Sequence, residues 1–311
     1  MLAAATFSVA LVLSPAQAQE AAISPPAITQ SLVLPDGRTL SWLEVGPPDG
    51  RPVLFFHGGA DSRLEALLIA EAAERSGVRL IAPDRPGFGG SSPSPDRSLT
   101  DWPDDVVVLA DHLDLPTFDV MGHSGGGPHA LVTAAALPER VERVAVVAGA
   151  APRDAGARGM VVPFRVGRWL SIHLPSLHRK MLESHRTGLE DPARFLEQYG
   201  RLSKGDGALF AANPDAAGLL VADMVEGYAQ GVDAAWREAQ LYYGEWGFSL
   251  RDVRQPVSLF YGDTDANAAP GWGRYFEEAL PDAALTTLEG EGHISALVNH
   301  ADSVFAALQL E

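Results

Sequence analysis

The sequence contains no cysteine. Disulfides, thiolate nucleophiles, cysteine-ligated metal centres and acylation of an N-terminal lipoprotein cysteine are thereby excluded. Positive charge is also scarce: 23 Lys and Arg stand against 40 Asp and Glu, giving a formal net charge of -17 and a pI near 4.8. Such a surface repels a phosphate backbone, so nucleic acid is not an expected partner. Past the N-terminal segment no apolar run reaches the length of a membrane-spanning helix, so stable membrane insertion of the mature chain is not expected. Internal repeats and low-complexity tracts are lacking as well.

What is present is the composition of a globular enzyme, 311 residues with 46% hydrophobic and 20% charged. That length supports one sizeable core plus an inserted subdomain. At the start, the apolar run Leu2 to Leu13 is followed by Ser14-Pro15-Ala16-Gln17-Ala18. The run is too short to span a bilayer and ends in a small-x-small site, although no Lys or Arg precedes it. Residues 1–18 are therefore expected to be a signal peptide and the chain to be exported to the periplasm or medium, with the cytoplasm as the alternative. Residues 19–29, with Pro25-Pro26, read as a linker.

From there short apolar runs alternate with helical spacing. Ser31 to Leu34 and Thr39 to Val45 flank Pro35-Asp36-Gly37-Arg38 as a hairpin. Pro52 to Phe56, Arg79 to Ala82, Thr117 to Met121, Val141 to Ala148, Pro256 to Tyr261 and Ala284 to Leu288 read as further strands. Helical spacing occupies Ala60 to Ser76, Leu99 to Leu113, Gly126 to Leu137, Trp272 to Leu280 and Ser295 to Leu308. Strands separated by such helices imply a mostly parallel sheet covered on both faces, an α/β fold. Residues 150–255 break the rhythm, with helix-like stretches and no convincing strand. The expected organisation is a core from 30–149 and 256–311 carrying a helical cap at 150–255.

Met121-Gly122-His123-Ser124-Gly125-Gly126-Gly127 lies between a strand and a helix. In that context G-x-S-x-G is a nucleophile elbow: the glycines let strand and helix approach, and the serine hydroxyl is held clear of the sheet edge. Alone the motif also fits a glycine-rich helix entry with a serine cap. A serine needs a base, and the base needs an orienting carboxylate. Downstream, Gly262-Asp263-Thr264-Asp265 follows one strand and Glu289-Gly290-Glu291-Gly292-His293 follows the last. Both loops fall at carboxyl ends of parallel strands, where open α/β sheets keep their sites. His123, His129 and His300 compete with His293, but only His293 sits in a glycine-flanked loop after a strand. Of the acids, Asp265 is the expected triad member, while Asp263 directly after Gly262 is expected to fix the turn. The oxyanion donors are expected to be the backbone N–H of Gly125 and that of Gly59 in His57-Gly58-Gly59-Ala60. His57 is expected to order that loop. No cofactor or metal is required.

His57-Gly58-Gly59, the stretch Pro83 to Ser92, Gly122-His123-Ser124-Gly125-Gly126, Gly262-x-x-Asp265 and Gly292-His293 occur in this order. Together they resemble the α/β-hydrolase superfamily, in its capped branch with esterases, haloperoxidase-like enzymes and epoxide hydrolases. The resemblance covers about Gln30 to Leu310 apart from the cap. It implies an eight-stranded, mostly parallel sheet, a lid over the active site and a Ser-Asp-His triad at the positions above. Three departures stand out. Ser124 replaces the aspartate nucleophile of epoxide hydrolases and haloalkane dehalogenases. The oxyanion loop lacks both the proline common in capped relatives and the glycine run of hormone-sensitive-lipase-like esterases. Pro270 follows Asp265 one position late.

The expected reaction is cleavage of a small to medium carboxylic ester through an acyl-enzyme. A lactonase, an amidase, a C–C bond hydrolase or a perhydrolase would use the same triad, and a non-catalytic ligand receptor would share the scaffold. The substrate is expected to be a small molecule, with Trp169, Leu170, Tyr228 and Trp246 as candidate substrate-binding residues. Trp169, Leu170, Ile172, Leu174, Leu177, Met181 and Leu182 are interleaved with cations. From Arg153 to Lys204 ten Lys and Arg face five Asp and Glu. This set fits a lid lining an acyl pocket, a lipid-facing patch, or helices packed on the core with a solvated basic face. Tyr228, Trp236, Tyr242, Tyr243, Trp246 and Phe248 fit either a pocket wall or packing at the cap's base. The oligomeric state is left open by the sequence.

Overall fold

In the computed structural model, residues 29–269 and 271–309 are described. The expected signal segment, the linker apart from Thr29, and Pro270 of the acid loop lie outside them. The short apolar runs become eight strands: β1 Gln30–Val33, β2 Thr39–Val45, β3 Arg51–Phe56, β4 Val78–Pro83, β5 Phe118–His123, β6 Val141–Val147, β7 Val257–Gly262 and β8 Ala283–Leu288. They form one sheet in the order β1-β2-β4-β3-β5-β6-β7-β8. Strand β2 runs antiparallel to β1 and β4, and every other pairing is parallel. The helices are α1 Ala70–Arg75, α2 Trp102–His112, α3 Gly126–Ala136, α4 Val162–His173, α5 Pro175–Gly188, α6 Pro192–Leu202, α7 Lys204–Ala212, α8 Pro214–Gly227, α9 Asp233–Tyr242, α10 Trp272–Ala279 and α11 His293–Leu308.

The period of two along each strand divides the core. Val53, Phe55, Leu80, Ala82, Met121, Ala145, Val147 and Phe260 face one side, against Ala66, Ala73, Leu297, Val304 and Phe305. Leu54, Phe56, Ile81, Val120, Val144, Val146 and Leu259 face the other, against Val106, Leu109, Leu131, Trp272 and Phe276. Each such side chain, fully buried, stabilises the fold by about 1.5–3 kcal/mol. Central strands covered on both faces explain the continuously apolar runs of the sequence.

Between β6 and β7 the described residues form α4 to α9 and no strand. Their own apolar cluster includes Phe195, Tyr199, Leu209, Leu220, Met224 and Tyr228, and it reaches Phe88 and Ile294 of the sheet-bearing part. Among the described residues, no single helix is long and apolar enough to cross a membrane.

Three helix starts differ from expectation, and the one expected from Leu99 opens as a 3-10 turn, Leu99–Asp101, before α2. The helix expected from Ala60 begins as a 3-10 helix, Arg63–Ile69, and continues as α1. Ser62 Oγ accepts the Leu64 N–H there at 3.2 Å, so the side chain competes with an earlier helical start. Helix α11 begins at His293 rather than Ser295, because a carboxylate from α7 takes up its first N–H groups.

Candidate active site

Strand β5 ends at His123 and α3 starts at Gly126, leaving two residues to reverse the chain. Ser124 sits at φ 49, the left-handed region that costs a side-chain-bearing residue of order 1–3 kcal/mol. Glycine is compulsory on both sides. A Cβ on Gly122 would lie 2.3 Å from the Gly126 oxygen, and one on Gly126 would lie 1.9 Å from the Phe56 oxygen. The strained turn is pinned by Ser124 N donating to Val147 O at 3.0 Å and by Ala150 N donating to Ser124 O at 2.8 Å. Ser124 is partly exposed, and its hydroxyl has no hydrogen-bond partner among the described residues.

The two expected oxyanion donors meet. A Cβ on Gly125 would lie 3.0 Å from both Cα and N of Gly59, so the two main chains pass in contact. A Cβ on Gly59 would lie 2.6 Å from the hydroxyl of Tyr242, and one on Gly125 would lie 3.1 Å from its ring. Tyr242, the last residue of α9, therefore stands over both glycines. The loop carrying Gly59 is braced from behind by the buried Arg85, whose guanidinium donates to the carbonyls of His57 and Gly58. His57 is fully buried and accepts the Arg85 backbone N–H at 3.1 Å through Nε2, which orders the loop. Burial first, and then the charge of Arg85, hold its imidazole well below the usual histidine range.

His293 and Asp265 are brought together. His293 Nδ1 donates to Asp265 Oδ2 at 2.8 Å, and both side chains are buried. Asp265 Oδ1 accepts the N–H groups of Asn267 at 2.7 Å and Ala268 at 2.9 Å, which fixes the carboxylate's orientation. With Nδ1 carrying the proton, Nε2 is left as the basic nitrogen. His293 is the first residue of α11 rather than part of the preceding loop. Its ring lies 4.8 Å, centroid to centroid, from that of His123, the residue before Ser124. The exposed Asp263 accepts the Gly290 N–H at 2.7 Å and ties the acid loop to the histidine loop.

The other histidines are occupied elsewhere. His129 pairs with the Gly125 carbonyl at 2.9 Å and with Glu238 at 3.4 Å, and His300 pairs with Glu291 at 3.1 Å. His123 meets Glu65, a residue with no motif around it. Asp206 was equally invisible in the sequence. Both acids are single residues whose partners lie 58 and 87 positions away, and no local spacing signals such contacts.

The four candidate substrate residues divide. Tyr228 is buried in the helical cluster between β6 and β7, with its hydroxyl 3.2 Å from Nδ1 of His185. Leu170 is half-buried on α4. Trp169 is 52% exposed and leans on His173, so its side chain faces solvent. Trp246 stacks between Phe248 and Phe276 and donates to the Tyr242 carbonyl at 2.9 Å. The structure does not bring these two tryptophans to the His293–Asp265 pair. Of the aromatic set near the return to the sheet, Tyr242 contacts Gly59 and Gly125. Among the described residues no group of three or more His, Asp and Glu is arranged to hold a metal.

A strained serine elbow, a neighbouring pair of glycine amides and a His–Asp pair, all at the carboxyl ends of parallel strands, define the hydrolase class of α/β proteins. The chain belongs to the alpha/beta hydrolase fold family, whose model matches residues 51–300. It is 27% identical over 267 residues to the dihydrolipoyllysine-residue acetyltransferase component of the acetoin cleaving system of Pseudomonas putida, covering 83% of this chain and 62% of that protein. It is 37% identical over 122 residues to the non-heme chloroperoxidase of Streptomyces lividans, covering 38% of this chain and 43% of that one. The chain thus spans less than two thirds of either relative. The solved esterase RhEst1 from Rhodococcus sp. ECU1013 shares the fold, with a TM-score of 0.66 at 19% identity over 90% of this chain and 97% of that chain.

Proposed function

We propose that this chain is a serine hydrolase that cleaves carboxylic esters of small to medium acyl groups through an acyl-enzyme. The observation that carries the reading is the 2.8 Å bond between His293 Nδ1 and Asp265 Oδ2, set beside an elbow whose serine is held at φ 49. In this scheme His293 Nε2 takes the proton of Ser124, and the alkoxide attacks the ester carbonyl. The N–H groups of Gly59 and Gly125, which face no acceptor among the described residues, receive the oxyanion. His293 then returns its proton to the departing alcohol. Water, deprotonated by the same imidazole, releases the acid. Asp265 keeps Nδ1 protonated and the ring oriented throughout.

The segment 150–255 acts in this reading as a cap that sets substrate size, with Tyr242 at the oxyanion side and Tyr228 and Leu170 further out. We also propose that residues 1–18 direct export and are removed. N-terminal sequencing of the mature protein tests that, and an intact Met1 on exported protein would refute it.

Turnover of p-nitrophenyl acetate and butyrate by the wild type and by Ser124→Ala tests the activity. The variant should keep its circular dichroism and lose at least about 10³-fold in kcat/KM. Undiminished turnover would remove Ser124 from the reaction. A fluorophosphonate probe should label the wild type at Ser124, which a non-catalytic receptor would not allow.

A further inference from the structure

The scheme above has no task for His123, yet both of its ring nitrogens are engaged in a fully buried site. Nδ1 lies 2.5 Å from Glu65 Oε1, and Nε2 lies 3.2 Å from the backbone oxygen of His293. A carboxylate oxygen and a carbonyl oxygen both accept. A neutral imidazole has one N–H and serves one of them, so with Glu65 ionised serving both takes an imidazolium, whereas a protonated Glu65 would donate to a neutral ring. Glu65, also fully buried, uses its other oxygen to accept the Gly58 N–H at 2.8 Å. This single pair therefore touches three loops: the oxyanion loop through Gly58, the elbow through His123 itself, and the start of α11 through His293.

We propose that Glu65 and His123 form a buried ion pair that positions these three loops and keeps a positive charge beside the base. The proposal rests on the serine-hydrolase reading for its kinetic consequence, and on the pair's own geometry and surroundings for the ionised state.

The groups around the pair are mostly acids. Facing the pair are Asp61 before the 3-10 helix, Asp223 of α8 through its bonds to Ser62, His293 with its partner Asp265, and Asp206 of α7 behind the start of α11. Arg85 is the nearby opposing cation, in the loop after β4. Burial works against a charge on His123. The Glu65 carboxylate and its hydrogen bond, then Asp61 and the His293 carbonyl, together outweigh it and hold the ring up to about 9. The ring of His123 lies 4.8 Å, centroid to centroid, from that of His293.

Nitrogen-resolved NMR of the histidine rings tests the ionised state directly, in the wild type and in Ser124→Ala. At pH 8 both His123 nitrogens should be protonated while exposed rings are neutral, and Glu65→Gln should abolish that pattern. In kinetics, Glu65→Gln and His123→Gln should each reduce kcat more than KM is changed, because the pair holds the loops of the base and the oxyanion donors and not the pocket. The double variant should be no worse than the worse single, since each already breaks the one pair. A singly protonated His123 in the wild type, or an unchanged kcat in folded variants, would overturn the proposal. Should the variants fail to fold, the wild-type spectrum still decides. If Ser124→Ala kept its activity, the hydrolase reading would fail while the protonation state of His123 remained measurable on its own.

Discussion

Asp206 of α7 accepts the backbone N–H of His293 at 3.0 Å, and its second oxygen accepts those of Ile294 and Ser295, both at 2.8 Å. The first N–H groups of a helix have no partner within it, and a carboxylate there also complements the positive end of the helix dipole. The cap of α11 is thus supplied from another part of the chain, by a residue that is itself fully buried. Contact is close enough that a Cβ on Gly205 would lie 2.3 Å from the Gly292 nitrogen. The helical segment between β6 and β7 therefore holds the backbone of the proposed base directly.

Asp206→Asn should separate this role from general stability. An amide turned toward three N–H groups offers one acceptor where the carboxylate offers two, and it loses the charge. Hydrogen bonds to a charged group are worth about 1.5–3 kcal/mol, so kcat should fall about 10- to 100-fold if His293 shifts. KM should stay within about twofold, because the change acts on the base and not on the pocket. The exposed Asp215→Asn on α8 is the control and should behave as wild type. A folded Asp206→Asn with unchanged kcat would detach Asp206 from the reaction.

The two acids of the loop after β7 should respond differently. Asp265→Asn preserves shape but lets Nδ1 lose its proton, the wrong tautomer for catalysis, and should lower kcat by about 10⁴-fold. Asp263→Asn keeps an oxygen for Gly290 N, removes only a charge on an exposed side chain and should cost less than about threefold. Steady-state rates for both, with melting curves to verify folding, settle the assignment. Equal losses would mean that the loop acts as a unit and that no single carboxylate orients His293.

The sheet and the elbow were legible because their causes are local. An approach of 2.3 Å at Gly122 and 1.9 Å at Gly126 demands glycine, and a strand buried on both faces demands a run such as Val53-Leu54-Phe55-Phe56. The pairing of His293 with Asp265 could be read because each follows a strand in a glycine-bearing loop. Glu65 and Asp206 were not legible, since an isolated acid inside a helical pattern is usually a solvated face and only folding brings these two to His123 and His293. The same blindness applied to Trp169 and Trp246. Aromatic content near a chain reversal fits a pocket wall and a packed base equally well, and the stack with Phe248 and Phe276 put Trp246 in the base. The start of α11 was misplaced by two residues for that reason too: its cap comes from Asp206 and not from a neighbour in sequence.

A last expectation concerns the acids between the oxyanion loop and α8. Asp223 Oδ1 accepts both N–H and O–H of Ser62, at 2.9 and 2.6 Å, whereas Asp223 Oδ2 and Asp61 Oδ1 are buried without a hydrogen-bond partner among the described residues. Burial, and then the charge of Glu65, push Asp61 up to about 7; burial, and then Asp61 and Glu65, push Asp223 well above the carboxylate range. In the unfolded chain both ionise near 3.9. The folded protein thus keeps protons that the unfolded chain releases from about pH 4 upward, so the pair's contribution is fully present in acid and is lost as pH rises through about 7. Asp223→Asn keeps the oxygen that serves Ser62, supplies an N–H toward Asp61 and removes one of the two acids. Thermal melts across pH 4.5 to 8.5 should show the variant near wild type at the acid end and about 2–4 °C higher at the alkaline end. If the variant instead melted lower than wild type, and by more at pH 8 than at pH 5, the carboxylates would have to be ionised and favourably paired in the folded state, and the protonated arrangement would be wrong.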